Sequence, residues 1–277
     1  APISSLTLEA LKDFGMDRKS MLKSKNMFAL GIVMYLFNRD ITQLNHYFET
    51  KFKNKPQVIE ANKTVVAAGY SYADTLEIFA NTYRIQPAEL PKGKYRDISG
   101  NVATAWGLMA ASERSGRQLF VGSYPITPAT DILVELTKHK DLKVKAYQAE
   151  DEIAGITSSI GASFAGCLSV TTTSGPGLSL KSEALGLAVM TELPLVVIDV
   201  QSGGPSTGLP TKTEQSDLTQ ALFGRNGDAP LIVLAAKSSV DCFYSAYEAC
   251  KLALEHMTPV ILLTDGSLGN GTEIFRI

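Results

Sequence analysis

The chain has 277 residues, 45% of them apolar and 19% charged, with 26 basic against 28 acidic side chains and a net charge of −2. That length and balance supply a core for one large domain or two ordinary ones. The near-neutral charge excludes a general electrostatic grip on nucleic acid or an anionic membrane.

The first ~95 residues read as mostly helical. Met27 to Phe37 is the longest apolar run, 11 residues interrupted only by a glycine, far short of the roughly 20 that span a bilayer. Asp40 to Asn54 places Ile41, Leu44, Tyr47, Phe48 and Phe52 at helical spacing, with Asp40 as the expected N-cap. Pro56 to Phe79 continues the amphipathic pattern. The stretch from Gln86 to Lys94, with two prolines and a glycine, punctuates the chain, and the spacing predicts a domain boundary there, dividing 1–95 from 96–277.

Beyond it the texture changes. Apolar, β-branched runs at Leu119 to Gly122, Val144 to Gln148, Leu168 to Thr173, Leu195 to Val200, Leu231 to Leu234 and Val260 to Thr264 alternate with helical stretches. That rhythm predicts βαβ units, an α/β fold with a helix-flanked parallel sheet. Runs so uniformly apolar suit strands covered on both faces. Function in such sheets gathers at the carboxyl ends of the strands, which directs attention to four loops.

The first is Ser123-Tyr124-Pro125-Ile126-Thr127-Pro128. Its two prolines stiffen a turn that either preorganises a ligand contact or simply caps the next helix, with Thr127 as N-cap and Pro128 at the first helical position. The second, Gln148 to Gly155, sets Glu150, Asp151 and Glu152 at a helix start, where carboxylates suit the macrodipole. The helix it opens is rich in small residues (Gly155, Ser158, Ser159, Gly161, Ala162, Ala165), so something must approach it closely: a ligand, a neighbouring element or another subunit. The third, Thr171 to Gly177, is a strand end running into a Gly-rich turn whose amides can receive polar ligand groups. It matches no nucleotide-binding pattern. The fourth runs from Gln201 to Thr211 and contains G-x-S-x-G at Gly204 to Gly208. A hydrolase elbow would make Ser206 the nucleophile, with Asp228 and His256 following, but Leu209-Pro210-Thr211 stands where that elbow needs a helix.

Three cysteines (Cys167, Cys242, Cys250) form no Cys-x-x-Cys pair, and the odd count fits a reducing cytoplasm. With His46, His139 and His256 far apart, no metal site or iron–sulfur cluster is expected from this chain alone. The first twenty residues do not read as a secretory signal. Opening on Ala1, the chain is expected to be a piece of a longer protein.

Taken in order, the loops resemble the α subunits of the 2-oxoacid:ferredoxin oxidoreductases, thiamine-diphosphate enzymes of anaerobic metabolism. The likeness rests on Tyr124 to Pro128, Glu150 to Gly155, Thr172 to Gly177, and Gly203 to Thr211 with Lys212-Thr213-Glu214-Gln215. It runs from Gly100 to the end, where Leu263-Thr264-Asp265-Gly266 fits the close of the family's first catalytic domain. The wording of Gly204 to Thr211 is most similar to the 2-oxoglutarate type. The resemblance implies that residues 96–277 are the pyrimidine-binding domain and 1–95 the C-terminal part of a γ-type domain, with Ala68-Gly69-Tyr70 near its close. It implies oxidative decarboxylation of 2-oxoglutarate or a related 2-oxoacid to acyl-CoA and carbon dioxide, with ferredoxin reduced.

Glu152 is then the catalytic carboxyl at the aminopyrimidine N1′. Pro125, Ile126, Thr173, Ser174 and Gly175 would hold the cofactor, and Tyr124 and Thr127 would meet the substrate. Ser202 departs from the family, which usually places an arginine there for the substrate carboxylate. A hydroxyl cannot replace a bidentate guanidinium, so Lys212 or Arg225 is expected to take the role unless the substrate differs. A β subunit is implied as partner, carrying the magnesium–diphosphate site and the iron–sulfur cluster, in an oligomer that uses coenzyme A. The family's α chain continues into a transketolase-C-terminal-like domain, and this polypeptide alone is expected to be inactive. The competing reading is a catalytically silent scaffold subunit.

Overall fold

A computed structural model describes residues 1–277 except Ile78. The chain forms two compact units, Ala1–Pro91 and Lys92–Ile277, the division falling inside the Pro/Gly-containing stretch.

The first unit is helical: α1 (Ile3–Ala10), α2 (Arg18–Leu22), α3 (Lys25–Leu36), α4 (Thr42–Lys51) and α5 (Pro56–Thr75). Leu11, Phe28, Ala61 and Val65 form its buried centre. Helices α3 and α5 cross where two glycines meet backbone. A Cβ on Gly31 would strike the Val66 carbonyl, and one on Gly69 the Phe28 carbonyl. This close crossing seats the Phe28 ring edge-on to Tyr72, with centroids 5.6 Å apart. Two sequence expectations shift here. The N-cap position of α4 is Ile41 rather than Asp40, although the Asp40 carboxylate still accepts from the Thr42 amide at 2.9 Å. Helix α5 stops at Thr75, short of Phe79, as Glu77 turns to a left-handed φ of 44°.

The second unit begins with β1 (Tyr95–Ser99) and α6 (Gly100–Ser115). It continues through β2 (Leu119–Ser123), α7 (Thr130–Thr137), β3 (Lys145–Gln148), α8 (Glu152–Phe164) and β4 (Leu168–Thr173). Two short helices, α9 (Gly175–Leu180) and α10 (Ser182–Met190), lead to β5 (Leu195–Gln201) and α11 (Leu218–Phe223). The chain closes with β6 (Ile232–Ala235), α12 (Asp241–His256), β7 (Pro259–Asp265), α13 (Gly266–Asn270) and β8 (Thr272–Arg276). Six strands make one parallel sheet in the order β3-β2-β4-β5-β7-β6, as the apolar runs predict. β1 and β8 pair antiparallel in a separate ribbon, Tyr95 opposite Arg276. Their mixed charged and apolar letters, and a partner at the other end of the unit's sequence, leave no local pattern to read.

Both faces of the large sheet are covered. On β5, Val196, Ile198 and Val200 join a core with residues of α6, α7 and α12. Leu195 and Val197 point the other way, toward Ile156 and Ile160 of α8, Leu178 of α9, Leu185 of α10 and Ala221 of α11. Helix α6 starts under the Ser99 hydroxyl, which accepts from the Val102 amide, and ends at Gly116 with φ 68°. Because β2 is flanked by β3 on one side and β4 on the other, the chain reverses its order there. The crevice outside β2 and β4 is therefore where such a sheet receives ligands. Among the described residues, no helix is long and apolar enough to cross a membrane.

Candidate functional site

The strand ends of β2 and β4 are bolted together. Ser123 Oγ accepts from the Thr172 amide at 2.7 Å, and the Ala149 amide donates to Ser123 O at 3.0 Å. From this platform the turn Tyr124–Pro128 projects, with a cis bond between Thr127 and Pro128. The amides of Ala129 and Thr130 both reach back to Ile126 O, at 2.8 and 3.0 Å. That turn delays the helix, so α7 begins at Thr130 with Ala129 in the cap position and no side-chain cap. Thr127 is thus not a cap, and its side chain remains open to other use.

Ile126 and Thr127 face Ser174 and Pro176 of the third loop, and Ser202 to Thr211 of the fourth, across a cavity of about 260 Å³. Ser174 Oγ and Ser202 Oγ are 2.8 Å apart and hydrogen-bonded. The fourth loop is a closed strap. The Gly203 amide donates to Lys212 O at 2.8 Å, and the Gly204 amide to Glu214 Oε2 at 3.1 Å. Its base is tied to the sheet, with the Asp217 amide donating to Gln201 Oε1 at 3.0 Å and Gln215 Nε2 to Asp265 Oδ2 at 2.6 Å. Ser206 lies exposed in this strap, and no helix follows until Leu218. The nucleophile elbow is absent.

Glu152 opens α8 directly after the N-cap Asp151, whose carboxylate accepts from the Ala154 amide at 2.7 Å. The residue is buried, yet no hydrogen bond from a described residue reaches its carboxylate. The residue is enclosed while its unpaired carboxylate keeps some exposure, open to a ligand. It stands behind the third loop. A Cβ on Gly177 would strike Thr173 Oγ1 and come within 2.9 Å of Glu152 Cγ, so glycine is needed for the turn to pass. Beneath it, the fully buried Lys181 donates from Nζ to Glu152 O at 2.7 Å. Burial pulls the Lys181 pKa down to about 8, against the opposing pull of the Glu152 and Asp151 carboxylates.

The small-residue helix is explained in part by a neighbouring element. Gly155 lies 3.2 Å, measured from an added Cβ, from Gly122 O, and a Cβ on Gly122 would strike Ser158 Oγ. Strand β2 therefore runs hard against α8, while Gly161 faces open space.

Of the residues expected at the site, Ile126, Thr127, Ser174 and Ser202 line one cavity. Tyr124 and Lys212 are exposed and Pro125 is half-buried. Thr173 and Gly175 are buried behind the cavity wall. Arg225 is turned to its own helix end: its guanidinium donates to Ala229 O, Ala221 O and Leu222 O at 3.0, 2.8 and 2.7 Å, and it is not among the residues lining the cavity at Ser202. Sequence reasoning passed over Lys181 and over Asp199, which sits fully buried in β5. The signal for Asp199 was available: one carboxyl inside Leu-Val-Val-Ile-Asp-Val.

The chain compares with known proteins as follows. The 2-oxoglutarate oxidoreductase subunit KorA of Mycobacterium tuberculosis is 54% identical over 275 residues, 99% of this chain and 42% of the relative. The 2-oxoacid:ferredoxin oxidoreductase 1 subunit alpha of Aeropyrum pernix is 37% identical over 94% of this chain and 41% of its own. A solved 2-oxoglutarate:ferredoxin oxidoreductase from Magnetococcus marinus, with 2-oxoglutarate, coenzyme A and succinyl-CoA bound, superposes with a TM-score of 0.81 at 39% identity, covering 98% of this chain and 46% of that one. The chain thus spans less than half the length of these relatives. Residues 114–277 match the family described as pyruvate flavodoxin/ferredoxin oxidoreductase, thiamine diphosphate-binding, and the chain belongs to that family.

Proposed function

We propose that residues 96–277 form the pyrimidine-side wall of a thiamine diphosphate site in a 2-oxoacid:ferredoxin oxidoreductase, with 2-oxoglutarate as the substrate. In this reading residues 1–95 are the end of a γ-type domain. The observation that carries it is Glu152: a largely buried residue whose carboxylate has no protein hydrogen-bond partner among the described residues, set behind the loops that line the cavity. An aminopyrimidine N1′ needs a buried carboxyl of this kind, so the residues fit the group. The cofactor supplies the carbon acid that adds to the 2-oxo group and the electron sink for decarboxylation.

This chain's own residues do the rest. Glu152 shares a proton at N1′. Gly177 lets its stem pass close to the third loop, and Lys181 holds the α8 main chain from below. Pro125, Ile126 and Ser174, with the Gly175 backbone, orient the pyrimidine. Thr127 and Tyr124 meet the substrate from the β2 side. Ser202 is already paired with Ser174 and carries no charge, so the exposed Lys212, one residue beyond the cavity-lining Thr211, is the cation for the distal carboxylate. A lysine gives a point charge where an arginine would give a fork, which predicts weaker discrimination among 2-oxoacids.

The diphosphate, its magnesium and the iron–sulfur cluster belong in this reading to a β subunit, with ferredoxin as acceptor, coenzyme A as acyl acceptor and the cytoplasm as location. Support for a protein partner comes from the outward sides of α8 to α11, where Ile153, Phe164, Leu180, Leu187, Met190 and Phe223 are exposed. Apolar side chains gathered on one layer mark an interaction surface. The test is viologen reduction by the full-length chain copurified with its partner, supplied with thiamine diphosphate, magnesium and coenzyme A. Reduction that depends on 2-oxoglutarate is expected. No reduction with any 2-oxoacid, from an assembly shown to carry cofactor and cluster, overturns the proposal in favour of a silent scaffold.

A further inference from the structure

Asp199 lies in the middle of the sheet, fully buried, on the face of β5 that carries Leu195 and Val197. Neither of its carboxylate oxygens receives a hydrogen bond from a described residue, and the buried Oδ2 of Asp217 is in the same position. The two carboxyl groups face each other. As two carboxylates they have no donor between them. One proton supplies it.

Asp217 is the residue on which three parts of the site converge. Its amide is fixed by Gln201 at the end of β5. Its carboxyl fills the space above Gly175, where an added Cβ would lie 3.0 and 3.2 Å from the two oxygens. It also ends the strap that begins at Ser202. We propose that Asp199 and Asp217 share one proton, and that this O–H···O bond makes them positioning residues, holding the strap and the Ser174–Gly175 turn in the shape that forms the cavity.

The chemistry sets the direction of the response. Burial, followed by the charge of its neighbour, pushes the Asp199 carboxyl well above its ordinary range, and burial raises Asp217 too. Two such groups titrate as a pair and release the shared proton late. Glu214, earlier in the strap, adds a further negative charge facing Asp217. Charges on the other packed elements are already engaged: Lys181 with Glu152 O, and Asp265 with Gln215 and the first amides of α13. Once the proton leaves, Asp199 is fixed within the sheet, so Asp217, partly open to solvent, is the one to move. Native carboxyls with raised pKa lose their stabilisation as pH rises through the raised value, so the strap loosens on the alkaline side.

The experiment is hydrogen exchange by mass spectrometry on the full-length protein in its native assembly, corrected for intrinsic rates, across about pH 6 to 9. Strap amides over 203–217 are expected to lose protection by roughly tenfold or more with rising pH in the wild type. In Asp199→Asn, whose amide donates permanently to the Asp217 carboxylate, protection is expected to stay level. Asp217→Asn, at a less enclosed position, should behave the same way and covers the case in which the first variant fails to fold. Parallel loss of protection in wild type and variants overturns the proposal. A second arm measures the Kd for thiamine diphosphate against pH, expected to rise in the wild type and stay flat in Asp199→Asn. This arm rests on the site reading above: absence of cofactor binding at every pH sinks that reading, while the exchange data still decide the fate of the pair.

Discussion

At the scale of single residues, the site turns on a carboxyl, on a largely buried residue, that the protein leaves unpaired. Glu152 could have been satisfied by its own helix, as Asp151 beside it is, through the Ala154 amide. Instead its stem lies against Gly177, and Lys181 binds its carbonyl rather than its carboxylate. That arrangement leaves the acid free to exchange a proton with a ligand. Glu152→Gln keeps volume and hydrogen-bonding capacity but removes the exchangeable carboxyl proton. Turnover of the assembled enzyme is expected to fall by about 10²-fold or more, the usual worth of a positioned acid–base group, while cofactor still binds. Steady-state viologen reduction alongside a cofactor titration checks it. Full activity in the variant would remove Glu152 from the reaction.

At the scale of elements, close backbone approach is the recurring device. It appears at β2 against α8, where Gly122 and Gly155 meet, and at the α3–α5 crossing in the first unit. Gly31→Ala places a methyl group onto the Val66 carbonyl and within 2.8 Å of the Tyr70 amide nitrogen. Backbone cannot rotate away as a side chain can, so the helices must part. We expect a loss of roughly 1–3 kcal/mol from the first unit, read as a lower denaturation midpoint in full-length protein. An unchanged midpoint would mean that the crossing yields easily.

The same elements explain what could be read in advance. Six strands were legible because each is an apolar run whose burial is a property of its own letters. β1 and β8 were not, because the two strands pair with each other, Tyr95 opposite Arg276 through Ser99 opposite Thr272, across nearly the whole unit in sequence. Of the two readings the loop after β2 left open, the cap at Thr127 fails, since nothing in Thr127-Pro128 announces that Ile126 O will hold the turn closed. Arg225 looked like a free cation from its letter alone, and only the end of α11 shows the carbonyls that claim it.

At the scale of the whole molecule, the second unit is unusual in offering apolar surface on both sides of one helical layer. The inner sides of α8 to α11 pack on the sheet through Ile156, Leu178, Leu185 and Ala221. On the outer sides, Phe164 is 83% exposed and Met190 is 82% exposed. Side chains of that size, held out by helices whose inner faces are already satisfied, are poor choices for a surface that meets only water. Large exposed apolar side chains gathered on one layer mark an interaction surface. The proposed partner fits there, because the same layer carries Glu152 and the turn at Ser174, and a cofactor shared between subunits must lie along their boundary. Phe164→Glu combined with Met190→Glu should leave the fold intact, since neither side chain enters a core cluster. Introducing two charges into a desolvated contact is expected to weaken association by about 2 kcal/mol or more, roughly thirtyfold. Sedimentation of the copurified subunits measures it, with circular dichroism as the check on folding. Loss of association with an unchanged spectrum places the partner on this layer. Unchanged association means that the partner lies elsewhere and that these side chains are covered by another part of the protein.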